Sequence, residues 1–284
     1  MVIEISSDSR IDINHHFRVS AGPGAGKTHW LSLHVSHVLK DSESLGKMGK
    51  VACLSYTNVG ADTLMGRMYE DRSRVLSCTI HSFLYAYIVK PYLHFIATDE
   101  GFNIELLNGE DDRILSDYNT FEEIRKAVKQ YYAEQDATFT AIRAAKWKLQ
   151  EDGSLKCYAN PPKKCCKKGY ALNENAYVVY KKLAWKKGYM HYDDVLYFSY
   201  KLIQKYPFIS RTLAIQFPYV FIDEFQDTNP IQAKIIKSLG ENGAIVGVIG
   251  DYAQSIYGFL GADPNQFASF TLDGLLDYTI LDNR

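Results

Sequence analysis

The sequence predicts an α/β protein: a parallel sheet flanked by helices and interrupted by a mostly helical insert. Three observations predict it. Short apolar segments end abruptly in glycine or polar residues, and each is followed by a helical pattern. One of them, Phe17-Arg-Val-Ser20, runs into the glycine-rich stretch Ala21-Gly-Pro-Gly-Ala-Gly-Lys-Thr28. Another, Tyr219-Val-Phe-Ile222, runs into two adjacent carboxylates, Asp223 and Glu224. Open parallel sheets bind ligands beyond the carboxyl ends of their strands, and the polar signatures fall at those ends.

The first strand, Phe17–Ser20, is followed by a loop containing Gly22, Gly24 and Gly26, with Ala21, Pro23 and Ala25 between them, and a helix starts at Lys27 and Thr28. Glycines let the backbone curl until its N–H groups converge on phosphate oxygens, and the helix N-terminus adds to the attraction. Lys27 would reach the β- and γ-phosphates of a nucleotide, and the Thr28 hydroxyl would ligate Mg²⁺. The first position of the usual G-x-x-x-x-G-K-[ST] pattern is Ala21 here, a modest departure. The second strand is Val51-Ala-Cys-Leu-Ser55.

From about Lys90 to Met190 the strand–helix alternation stops. Asp99 to Asp117 is acidic and reads as a loop, and Thr120 to Tyr132 as a helix. From Arg143 to Lys187 there are twelve Lys/Arg against three Asp/Glu, interleaved with Trp147, Tyr158, Tyr170, Tyr177, Tyr180 and Trp185. The expected organisation is a first sheet segment over residues 1–89, a helical insert over 90–190, and a second sheet segment over 191–284. In that second segment Tyr219–Ile222 is the third strand and Ala244–Ile249 the fourth. Asp223 would hold Mg²⁺, directly or through water, and Glu224 would act as general base or water positioner.

Composition narrows the class. A chain of 284 residues with 46% hydrophobic content can bury a substantial core. Its net charge of −1 makes it no polycation, so any nucleic-acid binding must come from local patches. The five cysteines are odd in number and irregularly spaced, as expected of reduced thiols in a cytoplasmic protein. No apolar run approaches the roughly 20 residues that span a bilayer. The N-terminus lacks the basic and apolar regions of a signal peptide.

Two further segments lead to a family. Gly250-Asp-Tyr-Ala-Gln-Ser-Ile-Tyr-Gly-Phe-Leu-Gly-Ala262 follows the fourth strand, and Leu54-Ser-Tyr-Thr-Asn-Val-Gly-Ala-Asp62 spans the end of the second. With the glycine loop, the Asp-Glu-Phe-Gln-Asp run, Thr79-Ile-His-Ser-Phe83 and His191-Tyr-Asp-Asp-Val-Leu196, they make six motifs in order. Together they closely resemble the UvrD/Rep/PcrA group of superfamily 1A DNA helicases, over residues 17–90 and 190–284.

The resemblance implies a RecA-like P-loop domain that uses ATP and Mg²⁺ and acts on single-stranded DNA and ss/dsDNA junctions. It implies that Gln254 senses the γ-phosphate and couples it to the DNA groove. Tyr56 would pack on single-stranded DNA beside Thr57 and Asn58, and His81 would lie in a segment contacting the DNA backbone. Tyr257 and Phe259 stand where aromatics stack on bases, with core packing the alternative for both. Base–aromatic stacking is worth about 1–3 kcal/mol per base and ignores sequence, as a motor on DNA requires.

Departures qualify the match. Leu260 stands where relatives usually carry Arg, and residues 1–20 contain no Gln to read an adenine. Ile280-Leu-Asp-Asn-Arg284 resembles the opening of the next motif, whose Arg, here Arg284, approaches the γ-phosphate. A second RecA-like domain would follow it, so the expectation is the ATP-binding N-terminal portion of a longer helicase, weakly active or inactive alone. The insert corresponds to the subdomain called 1B. Its Lys163-Lys-Cys-Cys-Lys-Lys168 run suits phosphate contacts, with a solvated basic loop the alternative. Adjacent cysteines ligate one tetrahedral metal poorly, so no zinc site is expected there. Two other functions compete: the helicase-like subunit of a Gabija-type phage-defence system, and a nucleotide-gated DNA-binding module that unwinds nothing. A protein partner in a repair or defence complex is compatible with either. Nothing in the chain points to a membrane.

Overall fold

The computed structural model describes residues 2–68, 72–251 and 265–281. Its chain divides into two compact units, Met1–Tyr87 with Ile203–Arg284, and Ile88–Leu202.

Among the described residues, the first unit is built on a seven-stranded sheet in which every pairing is parallel. Its strands are β1 (Val2–Ile5), β2 (Phe17–Ala21), β3 (Val51–Ser55), β4 (Val75–Thr79), β7 (Tyr219–Ile222), β8 (Ile245–Gly250) and β9 (Leu276–Ile280). Their order across the sheet is β1-β9-β2-β8-β7-β3-β4. Parallel strands need crossovers, and these are supplied by helices such as α1 (Lys27–Asp41), α2 (Asn58–Arg67), α8 (Phe208–Gln216) and α9 (Pro230–Glu241). The central strands β3 and β7 are buried along their whole length, which is why they read as continuous apolar runs. The core joins Phe17 and Val19 of β2 to Trp30, Val35 and Val38 of α1 and to Phe221 of β7. Each such side chain contributes about 1.5–3 kcal/mol on burial.

Three strands were not foreseen. β1 lies at one edge with exposed residues, β9 sits between it and β2 and is only partly buried, and β4 closes the other edge. Arg18 ties this region together. Its Nε donates to Asp277 of β9 at 2.6 Å and its Nη1 to the carbonyls of Phe267 and Ala268 at 2.9 and 2.6 Å.

The second unit contains α4 (Tyr118–Ala127), α5 (Gln135–Arg143) and α6 (Glu174–Lys186), and the start of α7 (Tyr192–Lys205). It also holds an unexpected antiparallel hairpin, β5 (Lys146–Leu149) with β6 (Leu155–Tyr158). The helix expected to reach Tyr132 stops at Ala127 because Lys129 turns left-handed, with φ 55°. Lys129 N then donates to Lys126 O and Gln130 N to Arg125 O, the bond pair that closes a Schellman C-cap. Ala97–Glu100 forms a short helical turn that runs into the expected acidic loop, and Ile104–Leu106 forms another within it.

The unit extends to Leu202, past the expected boundary near 190, because α7 is pinned at its first turn. The fully buried Asp194 accepts from Trp147 Nε1 and Trp185 Nε1, both at 2.9 Å, from Lys181 Nζ at 2.7 Å and from His191 Nδ1 at 3.2 Å. Asp193 accepts the Trp147 backbone N–H. Among the described residues no helix is long and apolar enough to cross a membrane.

Candidate functional site

Because the strands run parallel, the segments that follow them emerge along one edge of the sheet. Strand order then turns scattered sequence positions into a row. β2 leads into Gly22–Thr28, β8 into Asp251, β7 into Asp223, β3 into Tyr56, and β4 into Ile80 and His81. Candidate phosphate-binding and nucleic-acid-binding residues thus share this edge, with the Asp223 segment between them.

Gly24 and Gly26 hold φ of 75° and 88°, left-handed values that residues with a side chain rarely adopt, and Gly26 caps α1. The loop closes with Ala25 N on Gly22 O at 3.2 Å, and Ala25 itself is buried. A Cβ added at Gly22 would meet nothing within 4 Å, so the chain's own packing does not require that glycine. Lys27 Nζ donates to the Ala21 carbonyl at 3.2 Å, holding its charge at the loop. Thr28 sits half-buried in the first turn of α1.

Asp223 is buried at the end of β7, where its amide donates to Leu54 O of β3 at 2.8 Å. Its Oδ1 accepts the Glu224 amide at 3.0 Å. Burial, and then the neighbouring Glu224 carboxylate, push the Asp223 carboxyl up to about 6 against the pull of that hydrogen bond and of Lys27. Lys27 and Asp223 therefore feel each other across the strand β8 that separates β2 from β7. A cation held at Asp223 would relieve its cost of burial, and a hydroxyl with a carboxylate is the hard oxygen set that Mg²⁺ takes. Among the described residues no group of three or more His, Cys, Asp or Glu is placed to hold a metal by itself.

Glu224 is one of two described non-glycine residues with positive φ, at 52°. Such strain persists where surrounding structure over-determines it. Here Phe225, fully buried, begins a single helical turn, and Gln226 anchors the loop. Gln226 Nε2 donates to Glu224 Oε2 at 2.7 Å, and its Oε1 accepts the Asp251 amide at 3.1 Å. This bridge between the β7 and β8 ends was missed from sequence; the only signal was a Gln two residues after the carboxylate pair. Gly250 makes room for it, since a Cβ there would lie 2.6 Å from Gln226 Oε1.

Of the candidate nucleic-acid contacts, Tyr56 is 47% exposed and Thr57 and Asn58 are exposed beside it. Thr57 Oγ1 accepts the Gly60 amide at 3.1 Å, so that hydroxyl already caps α2. His81 is buried at the start of the short helix α3 (Ile80–Leu84). Gln254, Tyr257, Phe259 and Arg284, with Leu260, lie outside the described residues.

Residues 7–273 match the family model described as the UvrD/REP helicase N-terminal domain. The chain is 26% identical to the ATP-dependent DNA helicase Srs2 of Schizosaccharomyces pombe over 278 residues, covering 91% of this chain and 30% of that protein. It is 24% identical to the ATP-dependent DNA helicase PcrA of Leuconostoc citreum, covering 93% of this chain and 34% of the relative. With DNA helicase II of Haemophilus influenzae identity reaches 36%, over 34% of this chain. The chain thus spans about a third of the length of the first two relatives. With the family model covering nearly all of it, the chain belongs to the UvrD/REP helicase N-terminal domain family.

Proposed function

We propose that this chain is the ATP-binding portion of a UvrD-like DNA helicase, coupling ATP hydrolysis to movement on single-stranded DNA and unwinding at ss/dsDNA junctions when the rest of the protein is present. The observation that carries this reading is the row along the sheet edge: glycine loop, Asp223–Glu224 and the exposed Tyr56 segment, in that order. A triphosphate laid on the loop would place its γ-end toward Asp223 and Glu224, and the strands beyond lead toward the DNA-facing segments.

Backbone amides of Ala21, Gly22, Pro23 (whose nitrogen lacks a proton and contributes only shape), Gly24, Ala25 and Gly26 would form the phosphate cradle. Lys27 would neutralise the β- and γ-oxygens. Thr28 and Asp223 would hold Mg²⁺, which supplies charge neutralisation of the leaving phosphate. Glu224, positioned by Gln226, would take the proton of the attacking water, and Gln254 and Arg284 would face the γ-phosphate. Tyr56, Thr57, Asn58, His81, Tyr257 and Phe259 would carry DNA contacts through stacking and backbone hydrogen bonds.

Replacing Lys27 with Ala removes a charged hydrogen-bond donor and is expected to weaken Mg²⁺–ATP binding by tenfold or more. Glu224→Gln is expected to bind nucleotide normally and to lose about 10²–10⁴-fold in DNA-stimulated turnover. Fluorescent-nucleotide titration and phosphate release measure the two arms. Normal turnover in Glu224→Gln would remove Glu224 from the role of base; DNA binding gated by nucleotide without any unwinding by the longer protein would favour a binding module instead.

A further inference from the structure

We propose that the face formed by the turn Lys129–Glu134 and the loop Lys163–Leu172 in the inserted unit is a separate binding surface for single-stranded nucleic acid. It shares no residue with the site above and does not depend on ATP chemistry.

The loop is folded so that its cysteines and lysines part company. Cys165 and Cys166 are buried free thiols, while Lys164, Lys167 and Lys168 are exposed. Cross-loop bonds hold this arrangement: Cys165 N to Tyr170 O at 2.8 Å and Leu172 N to Lys163 O at 2.9 Å. Gly169 makes the turn with φ 87°. The cysteines therefore act as small apolar fillers that fix which way the lysines point.

The turn that follows α4 is clamped onto this loop. Gln130 is buried; its Nε2 donates to Ala171 O at 3.0 Å and its Oε1 accepts the Asn173 amide at 2.9 Å. Glu134 N donates to Cys165 O at 2.8 Å, and Glu134 Oε1 accepts the Lys167 amide at 3.2 Å. The left-handed Lys129 ends α4 just before two tyrosines, so that they project outward instead of continuing a helix face.

Tyr131, Tyr132 and Tyr170 are 61%, 49% and 55% exposed, and the rings of Tyr132 and Tyr170 meet at 5.1 Å and 57°. Tyr132 Oη accepts from Gln130 Nε2 at 3.0 Å and Arg125 lies 5.9 Å over the Tyr131 ring, so Tyr132 is held in place by its hydroxyl and Tyr132 and Tyr170 form the exposed ring pair. A merely solvated basic loop would need the lysines but not half-exposed rings brought together from segments about forty residues apart. Rings interspersed with lysines satisfy two demands at once: π-faces for unpaired bases and cations for the phosphates between them. A duplex hides its base faces and would use only the lysines, as would an acidic peptide.

The test uses the full chain and a fluorescein-labelled oligothymidylate, read by anisotropy without nucleotide. Tyr132→Ala with Tyr170→Ala is expected to weaken binding by about tenfold or more, whereas Tyr132→Phe with Tyr170→Phe keeps it. Lys167→Glu with Lys168→Glu is expected to weaken binding and to lower the slope of log K against log salt by about 1.4 or more, about 0.7 for each cation lost. Tyr56→Ala and Lys27→Ala separate the other DNA and nucleotide sites, and circular dichroism confirms that each variant folds. Unchanged affinity in both tyrosine variants, equal affinity for a matched duplex, or no oligonucleotide binding by the parent chain overturns the proposal.

Discussion

His34 is a titratable side chain in an apolar place. It lies on α1, stacked on Trp30 at 5.1 Å and 8° and edge-on to Phe17 at 4.9 Å. Neither ring nitrogen has a hydrogen-bond partner. Burial, helped by the nearby His37, pushes its pKa down to about 3. Asp8, Arg10 and Lys40 line the same cavity of about 350 Å³. The unfolded chain binds a proton at His34 below about pH 6.5, while the folded chain refuses it until about pH 3. The contribution is therefore nil above the unfolded value, and stability falls through that window as pH drops, by up to about 1.4 kcal/mol per pH unit. Urea unfolding at pH 7.5 and 5.5 should show wild type losing about 1 kcal/mol more than His34→Leu, whatever the variant's baseline. Equal losses would mean that the imidazole is hydrated and titrates freely.

Among the elements, α7 is pinned at its first turn by one side chain, Asp194. Burial alone would raise the Asp194 carboxyl, but Lys181 and His191 outweigh it and hold it well below the usual carboxylate range. That depressed pKa stabilises the fold above about pH 4, and the benefit is lost as pH falls through the folded value. Asp194→Ala would leave a buried lysine and two indole N–H groups without their acceptor. The expected cost is about 3–5 kcal/mol, read by urea unfolding with Trp147 and Trp185 as local fluorophores. A loss under about 1 kcal/mol would show that the pocket admits water in place of the carboxylate.

The histidine–tyrosine–aspartate–aspartate segment was legible as a family motif, yet its work as a buried pin was not, because the partners are long-range. The same physics separates the strands that were read from those that were not. β3, β7 and β8 are covered on both faces and spell apolar runs; β1, β4 and β9 are only partly covered, and the polar or exposed positions they carry break up any apolar run. The helix end at Lys129 escaped notice because that left-handed position carries no glycine. In the site, the glycine loop and the Asp223–Glu224 pair are contiguous and readable. The Gln226 bridge exists only because β7 and β8 are neighbours.

At the scale of the molecule, the proposed nucleotide site draws on segments separated by about two hundred residues, yet all belong to the first compact unit. A ligand that binds only the folded form stabilises it by mass action, by about 2.7 kcal/mol at one hundred times Kd. That free energy is felt by every amide whose exchange requires the unit to unfold, not only by groups touching the nucleotide. Adding Mg²⁺ with a non-hydrolysable ATP analogue should therefore slow hydrogen exchange about a hundredfold in the slowest amides of β2, β7 and β8. The slowest amides of the inserted unit, around Trp147, Trp185 and α6, should keep their rates, because the contacts that hold them are internal to that unit. Lys27→Ala should cut the slowing to about tenfold or less at the same analogue concentration. Equal slowing in both units would show that they unfold as one cooperative body, and no slowing in β2 would remove the nucleotide from the glycine loop.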